Sequence, residues 1–164
     1  MSELQVMMEI VLKEVKKHKI TITNWSKSSC GEAREGKKIK IPVPVDYYTL
    51  GVCFHEIGHI ALKHFEENTR KFRYVEEYEA EQYAIQKLKE YGYYNKQYEY
   101  RAINYVLSKI AQSKNRGHNI KEVPKEIAKW TNLKINQWKN ARKVFVEINN
   151  NIKTKKDIKI KFKK

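Results

Sequence analysis

Residues 47–65 read YYTLGVCFHEIGHIALKHF, a largely apolar run with a polar trio at its centre. The length and the scarcity of breakers predict a helix. Within it His55, Glu56 and His59 form an H-E-x-x-H motif. Side chains four residues apart share a helical face, so two imidazoles at this spacing can aim at one ion. Glu56 stands beside that point, where a carboxylate can act as general base on a metal-polarised water. The flanking Phe54, Ile57, Ile60 and Ala61 are apolar. A polar trio inside an otherwise buried helix costs stability unless something satisfies it. The expectation is zinc, Zn²⁺, with His55 and His59 as ligands and Glu56 as the catalytic base.

Catalytic zinc usually takes three protein ligands and keeps one position open. His64 is nine residues from His55, about half a turn round a continued helix, so it is expected to face away. His118 lies in a distant glycine-bearing loop, with no positional argument. Residues 73–90 are expected to form a second long helix that ends at Gly92, and its acidic cluster offers a better candidate. Glu77 and Glu81 lie on one face there, and Ala80 and Ala84 form a small stripe that permits close packing on the first helix. This suits Glu77 as the third ligand, with Glu81 hydrogen-bonding a ligand imidazole from behind. Glu76 and Glu79 read as a solvated face.

Working outward, Glu3 to Lys17 carries Leu4, Met7, Met8, Val11, Leu12 and Val15 at helical spacing. Ile20 to Thr23 alternates as a half-buried strand does, and Ser26 to Gly36 is turn-like. Lys38 to Val45 alternates again, with Ile39, Ile41, Val43 and Val45 on one face and Pro42 and Pro44 on the other. Proline cannot donate to a ladder, so this segment is expected to be an edge strand. A helix is expected over 96–112 and more helix between about 124 and 148. The fold class is therefore α+β: a mainly helical domain over 1–92 with a small N-terminal sheet, then a basic helical extension over 93–164, packed on the first as one unit.

The chain has 164 residues and carries a net charge of +15. Residues 1–92 hold 15 Lys and Arg against 14 Asp and Glu, whereas 93–164 hold 19 against 5. Such asymmetry points to a polyanion or acidic partner, or to a lysine-rich source proteome. No apolar run approaches the ~20 residues needed to span a bilayer, and Met1 to Lys17 does not read as a signal peptide. The expected setting is cytoplasmic and off the membrane. Two cysteines make no disulfide framework; Cys53 reads as core and Cys30 as a surface thiol.

An H-E-x-x-H followed some 18 residues later by Glu77-Tyr78-Glu79-Ala80-Glu81-Gln82-Tyr83-Ala84 resembles the gluzincin metallopeptidases. Within them the layout resembles the ImmA/IrrE-type domain, through Cys30 to Arg34, Ile39 to Pro42, Leu50 to His64 and Glu77 to Ala84. The resemblance covers about residues 20–92, and Glu81 stands where Asp or Asn is commoner. It implies a zincin-like fold, with zinc at His55, His59 and Glu77 and Glu56 as base. It also implies that the Lys38–Val45 edge strand lines the cleft, with Ile39, Ile41 and Val43 pairing an extended substrate. The implied reaction is cleavage of a specific protein, such as a helix-turn-helix repressor of a phage or mobile element.

In the basic part, Ala128, Asn132 and Trp138 fit the spacing of a helix-turn-helix over 125–144, as they would fit helices packing on the first domain. A recognition helix there would present Lys134, Gln137 and Lys139 to a DNA groove. The alternative function is then a DNA-binding regulator with a non-catalytic zincin-like domain. The tyrosines at 91–100 could stack on bases or pack a helix junction. The lysine-rich stretch 151–164 reads as a late strand or a solvated tail.

Overall fold

Two helices start on side-chain caps and end on left-handed turns, and between them these features set the frame. In the computed structural model the described residues are 1–117 and 123–132. Helix α1 (Glu3–Lys17) begins with a capping box in which Ser2 and Gln5 satisfy each other's backbone N–H groups. Strands β1 (Thr21–Ser26), β2 (Glu32–Arg34) and β3 (Lys38–Pro42) follow. Helix α2 (Tyr47–Ala61) opens on Asp46, whose carboxylate accepts the Thr49 N–H at 2.7 Å. Helix α3 (Arg73–Glu90), helix α4 (Lys96–Asn115) and the short α5 (Lys125–Trp130) complete the order among the described residues, with a 3-10 turn at Glu67–Thr69. The result is the expected α+β class, mostly helical with one small sheet.

The chain divides into two compact units, Met1–Ala102 and Ile103–Lys164. In the first, α2 and α3 pack closely through Ala80 and Ala84, both fully buried as the small-residue stripe predicts. Tyr83 lies against Gly58, where an added Cβ would meet its ring at 3.1–3.3 Å. Met7, Val11 and Val15 of α1, Ile39 and Ile41 of β3, and Leu50, Cys53, Phe54 and Ile57 of α2 fill the core. Phe54 stacks on Tyr91, with centroids 5.8 Å apart. A buried polar knot ties α1 to α3: the Glu14 carboxylate accepts from Lys87 Nζ at 3.1 Å and from the hydroxyls of Tyr83 and Tyr91. In the second unit Val106, Ile110, Ala111 and Ile127 are buried.

The sheet corrects one expectation. Its strand order is β1-β3-β2, with β3 parallel to β1 and antiparallel to β2, so Lys38–Pro42 is the central strand and not an edge. Proline is accommodated because Pro42 is the last residue of β3 and Pro44 lies beyond it. Past Pro42 the alternation breaks: Pro44 is buried, whereas Val43 and Val45 are exposed. The edge on the α2 side of the sheet belongs to β2, three residues inside the stretch expected to be a turn.

No helix among the described residues is long and apolar enough to cross a membrane. Asn132 adopts the left-handed conformation (φ 51°). Lys134, Gln137 and Lys139, the rest of the 125–144 motif, the 151–164 stretch and His118 lie outside the described residues. Tyr91 and Tyr98 of the tyrosine run serve packing: Tyr91 caps Glu14 and Tyr98 is buried against Gly51.

Candidate metal centre

Helix α2 is buried on most sides from Thr49 to Ile60, so its polar trio must be satisfied by what packs against it. His55 and His59, one turn apart, bring their Nε2 atoms to 3.1 Å from each other. Glu77 enters from α3, fully buried, with Oε2 at 3.1 Å from His55 Nε2 and 3.5 Å from His59 Nε2. These three atoms form a compact triangle, and the residues are those that sequence spacing selected.

The triangle fits a metal ion. Ligand atoms bonded at ~2.0–2.2 Å in tetrahedral geometry stand roughly 3.4 Å apart, and the observed separations are 3.1, 3.1 and 3.5 Å. Both oxygens of the buried Glu77 carboxylate lie against basic groups, Oε2 against the two imidazoles. Arg73 Nε approaches Oε1 at 2.6 Å as an ion-pair contact, one turn before Glu77 on α3. Arg73 pairs with Oε1, which leaves Oε2 directed at the two imidazoles, where an ion could join it. Glu77 and Glu81, both buried, lie against the two nitrogens of His55. His55, His59 and Glu77 can therefore hold a metal ion.

The surroundings set the charge states. Burial raises the Glu56 carboxyl to about 7, helped by the neighbouring Glu77. Burial opposes ionisation of Glu77 too, but the two imidazoles outweigh it and hold that carboxyl far below its usual range. For His55, burial disfavours charge, yet Glu81 and Glu77 push its pKa well up. Burial holds His59 below the usual histidine value.

Each remaining group is placed by a specific neighbour. Glu81 lies behind His55, with Oε1 at 3.1 Å from Nδ1, and its other oxygen accepts the Tyr98 hydroxyl at 2.9 Å. Tyr98 comes from α4 and occupies the space that a side chain at Gly51 would fill. Glu56 accepts the backbone N–H of Ala33 in β2. Gly31, just before β2, makes room for it: a Cβ there would lie 2.5 Å from Glu56 Cγ. The strand beside Glu56 is thus β2. Ile39 and Ile41 are fully buried in the central strand and cannot pair with a substrate; Val43, beyond the end of β3, is outside any strand.

His64 overturns a second expectation. Helix α2 stops at Ala61, and Lys63 turns left-handed (φ 61°). The Lys63 N–H bonds the Ile60 carbonyl and the His64 N–H bonds the His59 carbonyl, the paired bonds of a Schellman cap. The chain therefore folds back, and His64 Nδ1 lies 2.8 Å from His59 Nδ1. His64 Nε2 meets Glu79 Oε2 at 3.0 Å, so Glu79 is no free solvated residue; nor is Glu76, which is buried and accepts the Lys71 N–H. Tyr83, a nearby tyrosine in sequence, turns its hydroxyl to Glu14 and away from the cluster.

No protein-family model, curated protein or solved structure compared with the chain matches it. The arrangement of these side chains carries the functional argument.

Proposed function

We propose that the chain is a zinc-dependent endopeptidase with a zincin-like fold, similar to the ImmA/IrrE-type gluzincins, that cuts a specific protein partner such as a transcriptional repressor. The observation that carries the reading is the His55–His59–Glu77 triangle with Glu56 beside it on the same helix. The motif order, two histidines and a base on one helix and a carboxylate from the next, is that of the family it resembles. Two imidazoles and one carboxylate are a donor set that zinc favours in catalytic sites.

A zinc held there supplies, when bound, polarisation of a water and of a peptide carbonyl. Glu56, raised to about 7 by burial, is suited to accept the water's proton and later deliver it to the leaving amine. The Ala33 N–H and the side-chain-free Gly31 keep its carboxylate in one place. With β3 central, an extended substrate would add to the sheet at the β2 edge, Glu32–Arg34, next to this base. The basic excess of residues 93–164 suits an acidic partner or a DNA-bound one.

The test is metal content of wild type, Glu77→Ala and Glu56→Gln, with cleavage of candidate partner proteins. One zinc per wild-type chain, sharply reduced in Glu77→Ala and kept in Glu56→Gln with loss of cleavage, is the expected result. Equal zinc in wild type and Glu77→Ala would overturn the ligand set. A regulator that works only by binding DNA would instead show affinity falling steeply with salt and indifferent to Glu56→Gln.

A further inference from the structure

His59 is backed by a second imidazole, an arrangement that the motif spacing does not foretell. We infer that His64, with Glu79 behind it, is a positioning residue that fixes the tautomer and ring orientation of His59 for metal binding. The inference rests on the metal reading above and adds the group that makes His59 a competent ligand.

The argument follows the protons. His59 turns Nε2 towards His55 Nε2 and Glu77 Oε2. An imidazole that gives a lone pair at Nε2 carries its proton on Nδ1. That Nδ1 lies 2.8 Å from His64 Nδ1, so His59 donates and His64 accepts. His64 must then carry its own proton on Nε2, which donates to Glu79 Oε2 at 3.0 Å. Glu79 Oε1 in turn accepts from Lys71 Nζ. With both rings neutral, one proton assignment satisfies the whole chain, and it leaves His59 Nε2 open to an ion. His59 and His64 are 2% and 4% exposed, so water does not compete for the link. The approach depends on backbone as well: the left-handed Lys63 returns His64 under the last turn of α2. His55 is backed by a carboxylate, Glu81, whereas His59 is backed by a neutral ring with its carboxylate one step further out.

The experiment is zinc titration of the full chain against a chromophoric chelator, with the denaturation midpoint of the metal-free protein measured alongside. His64→Phe keeps a ring and removes both nitrogens. Loss of such a backing group weakens metal affinity by about 10–100-fold, and that is the result expected. His64→Gln offers an amide oxygen that can accept from His59 Nδ1, and should recover most of the affinity. A role in packing alone would move the metal-free midpoint without this order of affinities. Wild-type affinity in His64→Phe, or equal loss in His64→Phe and His64→Gln, overturns the proposal. Should His64→Phe fail to fold, Glu79→Ala, at a partly exposed position, decides: several-fold weaker binding supports the chain and unchanged binding overturns it. Zinc binding abolished by His55→Ala but untouched by His64→Phe would sink the positioning role alone. No zinc binding in wild type would sink the metal reading with it.

Discussion

Gly51→Ala sets a local preference against a tertiary contact at the same atom. Gly51 lies inside α2, where alanine is better than glycine by about 1 kcal/mol, so helix propensity alone makes the variant more stable. The added Cβ, however, would sit 2.1 Å from Tyr98 Cε2, 2.6 Å from Cζ and 2.7 Å from Cδ2. Carbon atoms rest at about 3.5–4.0 Å, so the ring must retreat by more than about 1 Å. Tyr98 is 3% exposed and has no room to do so cheaply, and overpacking of this kind costs about 1–3 kcal/mol. The retreat also stretches the 2.9 Å bond from Tyr98 to Glu81, and a buried acceptor left without its donor costs about 1–3 kcal/mol more. Set against the propensity gain, the net effect is a loss of about 1–5 kcal/mol, read as a lowered urea midpoint of the metal-free protein. Gly58→Ala is the matched control: its Cβ would meet Tyr83 at 3.1–3.3 Å, so a small shift absorbs it and the propensity gain roughly offsets the cost. A Gly51→Ala protein as stable as wild type, or more so, would refute the packing of Tyr98 on α2.

Three further outcomes follow from other parts of the structure. If the proposed function holds, Gly31→Ala should displace the Glu56 carboxylate and abolish cleavage while zinc content by mass spectrometry stays at the wild-type level; full activity would show that Glu56 does not need that space. Burial opposes charge on Glu14, but its bonds from Tyr91 and Lys87 win and lower its pKa below 4.5. A carboxyl depressed in the folded state adds stability above its unfolded pKa and loses it as pH falls through the folded value. Wild type should therefore lose urea resistance more steeply than Glu14→Gln below about pH 4.5, and parallel curves would contradict the knot. Lys63→Gly should raise the thermal midpoint, by about 0.5–1 kcal/mol of stability, because glycine takes the left-handed turn at no steric cost; a lowered midpoint would count against the cap.

The long helices were legible because they carry many repeats of one period. Glu3–Lys17 and Arg73–Glu90 are bounded where their apolar spacing and breakers place them. The candidate ligands were legible for the same reason: His55 and His59 share a face by spacing alone, and the Ala80–Ala84 stripe marks the side of α3 that brings Glu77 to them. Strand β2 was not, since three residues are too few to show alternation. The place of β3 was misread because two prolines argue for an edge unless one knows that the strand stops at the first of them. His64 was misread by continuing a helical wheel past Ala61, beyond which Lys63 reverses the chain. A lysine carries no mark of a left-handed turn, though a histidine shortly after the motif is a signal worth testing against both geometries. Tyr98 was missed because nothing in spacing ties it to the cluster, whereas Arg73, four residues before Glu77 on α3, stood at a spacing that could have shown it.

All three candidate ligands and the base fall between residues 55 and 77, yet that segment is not portable. Glu56 is steadied by an amide of β2, His55 by a carboxylate that itself leans on α4, and His59 by a ring placed by a helix end. Transplanting the two-helix segment onto another scaffold would carry over the donors and lose their aim. The aim of the candidate ligands is thus set from outside the segment that carries them, by Glu81 with Tyr98 behind it, as well as by the turn at Lys63 within it.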